Sequence, residues 1–186
     1  QWDADLCHQF GRTTTDCVGI DFVEFACPVG TARKIALFYE SVLDATTSVV
    51  PISSITKQHQ PAQPLEAAII AIGHVRANGR ADQSLVFRET ADTAQIPSEY
   101  DGHHIALYVG ENMADFEQAY RNAELAGVVW VNPRFSDDAN TLDKARQWQQ
   151  FRFKNIVDME TGATIFELEH ELRSCHHTAW PGPRQS

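Results

Sequence analysis

Hydrophobic positions alternate between two periods along this chain, and the switches between them mark its elements. Ile20-Asp21-Phe22-Val23-Glu24-Phe25-Ala26 is a short apolar run with strand character, broken by Pro28 and Gly30. In residues 31–43, Ile35, Phe38, Tyr39, Val42 and Leu43 fall at i, i+3, i+4, i+7 and i+8, the apolar stripe of an amphipathic helix. Residues 47–52 and 67–75 are rich in β-branched side chains and read as strands. Asn78-Gly79 follows, a hairpin signal because both residues tolerate positive φ, and residues 84–89 form the last strand. The order is β-α-β-β-β.

The same order then returns. Residues 104–109 read as a strand, and Asn112 caps a helix carrying Phe116, Ala119, Tyr120 and Ala123 that Gly127 ends. Residues 128–131 are the next strand. Residues 151–159 and 163–169 form a hairpin around Thr161-Gly162. Between them runs a polar loop, residues 132–149, with a helical turn or two at residues 142–148. Phe22 maps on His104, Phe38 on Tyr120 and Leu43 on Leu125, each 82 apart; Gly79 maps on Gly162 at 83 and Glu89 on Glu169 at 80. The division is therefore an N-terminal extension (1–17), a first module (18–90), a linker (91–101), a second module (102–171) and a tail (172–186), with 18–171 one structural domain. Either half alone leaves a sheet face bare, so pairing buries a common core in an α+β fold.

Composition narrows the partners. With 25 acidic against 15 basic residues, the net charge of −10 disfavours nucleic acid or an anionic membrane, either of which needs a basic face. No apolar run reaches the roughly 20 residues of a membrane helix, so the expectation is a soluble protein, with the cytoplasm slightly favoured. The first residue is Gln1, which reads as processing or trimming, and no signal peptide is readable. Cys7, Cys17, Cys27 and Cys175 form no CxxC pair; reduced thiols are expected, with a Cys7–Cys175 bridge as the alternative. Nucleophile elbow, Walker loop, GxGxxG and HExxH are all missing, which disfavours serine, phosphoryl-transfer and dinucleotide chemistry.

Asp101-Gly102-His103-His104-Ile105-Ala106-Leu107-Tyr108-Val109 resembles the first strand of a vicinal oxygen chelate module (the glyoxalase, bleomycin resistance and extradiol dioxygenase superfamily). The ending Asp158-Met159-Glu160-Thr161-Gly162-Ala163-Thr164-Ile165-Phe166-Glu167-Leu168-Glu169 resembles its last strand, and Phe38-Tyr39 its usual helical Phe-Tyr. The resemblance implies two βαβββ modules forming a paired, cupped mixed sheet with helices outside. It also implies a divalent metal (Fe, Mn, Ni or Zn) held by His104 and a glutamate, Glu169 ahead of Glu167, leaving positions open for a bidentate oxygen substrate. The position matching His104 in the first half is Phe22, so one expected ligand is missing; Glu24, on the same strand face, or Glu89 could replace it. Glu89 and Glu169 could also meet across the pseudo-twofold axis.

Two functions follow from that reading. One is a metal-dependent lyase, isomerase or dioxygenase acting on a small oxygenated molecule. In it Glu89 or Glu24 moves a proton, Tyr108 reaches the cleft as donor, Arg152 and Lys154 hold an anionic group, and Phe22 and Phe87 line the substrate site. The other is a metal-free protein that sequesters a hydrophobic or aromatic ligand in the same cleft, motivated by Phe22, Phe87 and Phe166. In the blander reading His104 is a hydrogen-bonded core histidine, the glutamates sit at a solvated cleft mouth, and Arg152 and Lys154 form a polar surface. His103 is expected to face outward and His170 to join a surface ion pair with Glu171 and Arg173. His176 and His177 belong to a tail with Pro181 and Pro183, while Trp130 and Trp148 pack the polar loop down. A homodimer is compatible with such modules.

Overall fold

The computed structural model describes residues 20–52, 64–77, 79, 81–96, 100 and 102–179. The N-terminal extension with Cys7 and Cys17, Asn78 of the first turn, Asp101, and Pro181 and Pro183 of the tail lie outside the described residues. Cys27 and Cys175 carry free thiols.

The first half runs β1 (Phe22–Pro28), α1 (Ala32–Leu43), β2 (Thr47–Pro51), β3 (Glu66–Val75) and β4 (Ala81–Thr90). After a short 3-10 turn the second half runs β5 (His104–Tyr108), α2 (Met113–Leu125), α3 (Leu142–Trp148), β6 (Gln150–Val157) and β7 (Thr164–Arg173). The first sheet has the order β1-β4-β3-β2 and the second β5-β7-β6, each with its first strand parallel to its last. The fold is α+β with the two-module order that the sequence gives reason to expect. The two halves differ at one point. The strand expected at residues 128–131 is only an isolated bridge, Val129 to Phe153, so the second sheet has three strands. Its hairpin closes at Gly162, whose positive φ of 72° lets its N–H reach the Asp158 carbonyl at 2.7 Å.

One core serves both halves. α1 presents Ile35, Phe38, Tyr39 and Val42, all fully buried, as its apolar spacing requires. Phe38 meets Phe153 of the second sheet edge-on at 5.5 Å, and Phe87 of β4 meets Phe166 of β7 at 5.4 Å. Tyr39 donates to His170 Nε2 of β7 at 2.6 Å, so the first half's helix is tied to the second half's last strand. α2 joins the same core, setting Phe116 and Tyr120 against Phe151. Alternation then leaves each sheet a second face turned from this core. On the first sheet it carries Phe22, Glu24, Ser84, Val86 and Arg88; on the second, His104, Tyr108, Glu167, Glu169, Glu171, Arg152 and Lys154.

Candidate functional site

The second-half face holds most of the residues that the chelate resemblance singles out. Parallel pairing places His104 beside Glu169, both on the face turned from the core, so these two are neighbours as expected. Their environments differ sharply. His104 is exposed rather than a bonded core histidine, whereas Glu169 is wholly buried rather than at a solvated mouth. Glu169 Oε1 accepts from Arg152 Nη1 and Asn132 Nδ2, both at 3.0 Å. Its Oε2 accepts from the same Asn132 nitrogen at 3.0 Å and from the Tyr100 hydroxyl. Burial alone would raise the Glu169 carboxyl, but these donors and the Arg152 charge hold it below its ordinary range. The same contact, with burial as the larger cause, pushes the Tyr100 phenol up to about 12.

Arg152 is not a polar surface residue. Its Nε donates to Asp137 at 2.9 Å, its Nη1 to Glu169, and its Nη2 pairs with Glu171 at 2.6 Å, while the Phe135 ring lies 4.6 Å from Cζ. Lys154 pairs with Glu167 at 2.9 Å and lies over the Tyr100 and Trp130 rings. Tyr108 donates to the Ala179 carbonyl at 2.5 Å, against the start of the tail. The polar loop of residues 132–149 is therefore folded onto this face through Asn132, Phe135 and Asp137.

Glu89 is elsewhere. Its carboxylate, 2% exposed, accepts from Ala32 N at 2.9 Å and from Glu66 N at 3.0 Å. Thr31 at the N-cap of α1 makes no side-chain capping bond and the first turn has no acidic residue. Glu89 thus supplies the missing cap and complements the helix dipole from a neighbouring strand. The expected meeting of Glu89 with Glu169 does not occur. The strand register explains why: Phe22 pairs with Ser84 and His104 with Glu169, so Ser84 is the positional partner of Glu169. Glu89 lies five residues further on, and an odd displacement puts it on the opposite face.

Other expectations are corrected in the same way. Phe87 is core, stacked on Phe25 at 5.4 Å, not cleft lining, and Phe166 joins them. His170 is not in a surface ion pair; it is buried, with Phe153 stacked at 4.3 Å. His103 does not face freely outward but sits against the Phe25 and Tyr100 rings. Trp148 keeps a loop role through Nε1 to Asp138 at 3.4 Å. Glu24 does share a face with Phe22, and it accepts from Arg88 Nε at 2.8 Å.

A divalent ion does not fit this donor set. Both Glu169 oxygens are occupied by donors, the nearest cation is a guanidinium already in place, Glu89 is on the wrong face and Phe22 offers no lone pair. Among the described residues, no three His, Cys, Asp or Glu side chains are grouped as an ion would need.

Recesses lie away from this face, one of about 390 Å³ beside Asn122, Val157 and Met159 and another on the first-half face. The latter, of about 430 Å³ and within the usual range of small-molecule pockets, is bordered by Phe22, Ile69, Ala71, Val75 and Val86, with Thr46, Ser48 and Ser84 among its polar neighbours. Phe22 is 56% exposed there. Of the expected site residues only Phe22 lines it. Ile69, Ser84 and Val86 could have been found from period two, since each alternates with a buried neighbour.

No family model and no curated protein matches this chain. Among solved structures, a fosfomycin resistance protein from Listeria monocytogenes, FosX, complexed with Mn(II) and a dihydroxypropylphosphonic acid, is similar at 12% identity and a TM-score of 0.48, over 86% of this chain and 93% of that one. A glyoxylase/bleomycin resistance protein/dioxygenase domain from a Frankia species is similar at 16% identity and 0.44, over 85% and 99%. Lactoylglutathione lyase from Agrobacterium tumefaciens is similar at 11% identity and 0.41, over 85% and 94%. At these identities and TM-scores the likenesses carry no argument about chemistry. No helix among the described residues is long and apolar enough to cross a membrane. The chain's own strand order, with two modules each pairing first strand parallel to last, is the α+β arrangement that the vicinal oxygen chelate resemblance implies.

Proposed function

We propose that this protein binds a small, largely apolar molecule, aromatic by preference, against the outer face of β1, β3 and β4, without a metal ion. The recess beside Phe22 is the observation that carries the reading. A phenylalanine left more than half exposed next to Ile69 and Val86 loses its apolar contact with water once a flat ligand covers it. Thr46, Ser48 and Ser84 are among the residues lining the recess and supply it with hydroxyl groups for a polar substituent.

The test is titration of chelator-treated protein with an anilinonaphthalene dye and then with small phenols as competitors. Saturable binding is expected, and Phe22→Asp should weaken it roughly 5- to 30-fold, the worth of about 1–2 kcal/mol of aromatic contact. Undiminished binding in Phe22→Asp, or binding that needs added metal, would contradict the proposal.

The rival is a metal-dependent lyase, isomerase or dioxygenase that uses His104 and Glu169 as ligands. One observation favours it, the placement of those two residues side by side on one face. It requires Asn132, Tyr100 and Arg152 to release Glu169 first.

A further inference from the structure

Strand alternation puts Glu167, Glu169 and Glu171 on one face of β7, and the loop brings Asp137 to the same place. Of these, Glu169, Glu171 and Asp137 are buried. Three buried carboxylates this close cannot all stay ionised without a cation among them. In this chain the cation is covalently part of the fold. Each nitrogen of the Arg152 guanidinium is directed at a different carboxylate: Nε at Asp137, Nη1 at Glu169 and Nη2 at Glu171. A planar fork with fixed donor directions can do this, and a lysine ammonium cannot. Arg173, 2.5 Å from the other oxygen of Glu171, adds a second positive charge at the edge.

The carboxylate oxygens stand one hydrogen bond beyond the rim of the guanidinium. That is too far from the centre of the group for an ion whose bonds to oxygen are about 2.0–2.6 Å. The loop closes the rest. Phe135 covers one face of the guanidinium, Asn132 takes both oxygens of Glu169, and Gln150 gives Asp137 a further donor at 2.6 Å.

We infer that Arg152 is the built-in cation of the second-half face, and that it fastens residues 132–137 over β6 and β7 in a closed arrangement that a divalent ion does not enter. Arg152 belongs to the second sheet and the Phe22 recess to the first, with no lining residue shared, so the two readings stand or fall separately.

The experiment has two arms. Wild type is incubated anaerobically with Mn(II), Fe(II), Ni(II) or Zn(II) in turn, desalted and measured by elemental mass spectrometry, beside Glu169→Gln. Arg152→Lys and Arg152→Met are compared with wild type by thermal melting with and without each ion, and by limited trypsin digestion at Arg134 and Lys144. Wild type should retain under one tenth of an ion per chain at Glu169 and show no shift in Tm. Arg152→Lys, which keeps charge but loses the directed fork, should be cut in the loop at least tenfold faster while dye binding at Phe22 is unchanged. Arg152→Met, with its carboxylates uncompensated, should be stabilised by added ion. One ion per chain in wild type that disappears in Glu169→Gln would overturn the inference. So would loop cleavage at the wild-type rate in both Arg152 variants. An ion that persists in Glu169→Gln sits elsewhere and leaves the inference standing.

Discussion

Lowering the pH from about 7.5 to about 5.5 should weaken this fold chiefly through one fully buried imidazole, that of His170. The ring is fully buried, with its Nδ1 2.7 Å from the Leu168 carbonyl and its Nε2 2.6 Å from the Tyr39 hydroxyl. Those partners assign the neutral tautomer: Nδ1–H donates to the carbonyl and Nε2 accepts from the tyrosine. Burial pushes the group from its ordinary value of 6.5 down to about 3. Between these values the unfolded chain binds a proton that the folded chain does not. Stability from this group is therefore complete above 6.5 and is lost as the pH falls below it, down to about 3. The slope approaches about 1.4 kcal/mol per pH unit, and integration from pH 7.5 to 5.5 gives a loss of about 1.4 kcal/mol. Urea unfolding followed by tryptophan fluorescence at both pH values measures it, with His170→Gln as the variant that cannot titrate. His177 is also lowered, chiefly by burial, and contributes in the same sense, but it is common to both proteins. The variant should show a pH dependence smaller by about 1.4 kcal/mol. Equal losses in the two proteins would refute the reasoning.

Three further variants test how the framework is built. Glu89→Ala removes a buried carboxylate from two backbone N–H groups and should lower unfolding free energy by about 2–3 kcal/mol in chemical denaturation. Asn112→Ala removes the α2 cap, whose Oδ1 accepts from Ala114 N and Asp115 N at 2.9 and 3.2 Å, and should cost about 1 kcal/mol by the same measurement. Gly110→Ala places a methyl group 2.2 Å from Asp115 Cβ at a φ of 72°, so a loss of about 1–3 kcal/mol, read as a lower Tm by circular dichroism, is expected.

The α+β class and the two-module order were legible because they depend on local periodicity. The α1 stripe from Ile35 to Leu43 and the Thr161-Gly162 turn appear where the spacing puts them. The site was less legible, for reasons of register and charge. An offset read from strand ends paired Glu89 with Glu169, but strand faces alternate with period two, and the register of β4 and β7 is set by their partners β1 and β5. The alternation of Arg152 and Lys154 was visible, yet the loop that buries Arg152 comes from polar residues 132–149, which have no period to follow. His170 looked like a charged surface residue because Glu169, Glu171 and Arg173 surround it in sequence. Alternation turns it from them into the core, where Tyr39 from a distant helix completes its bonding.

The measurement that tests the central claim most directly is methyl and amide shift mapping by NMR on chelator-treated protein titrated with a small phenol. Binding at the proposed recess predicts saturable shifts at Ile69, Ala71 and Val86, with His104, Ala106 and Glu169 unmoved. Shifts centred on His104 and Glu169, appearing only after a divalent ion is added, would contradict it.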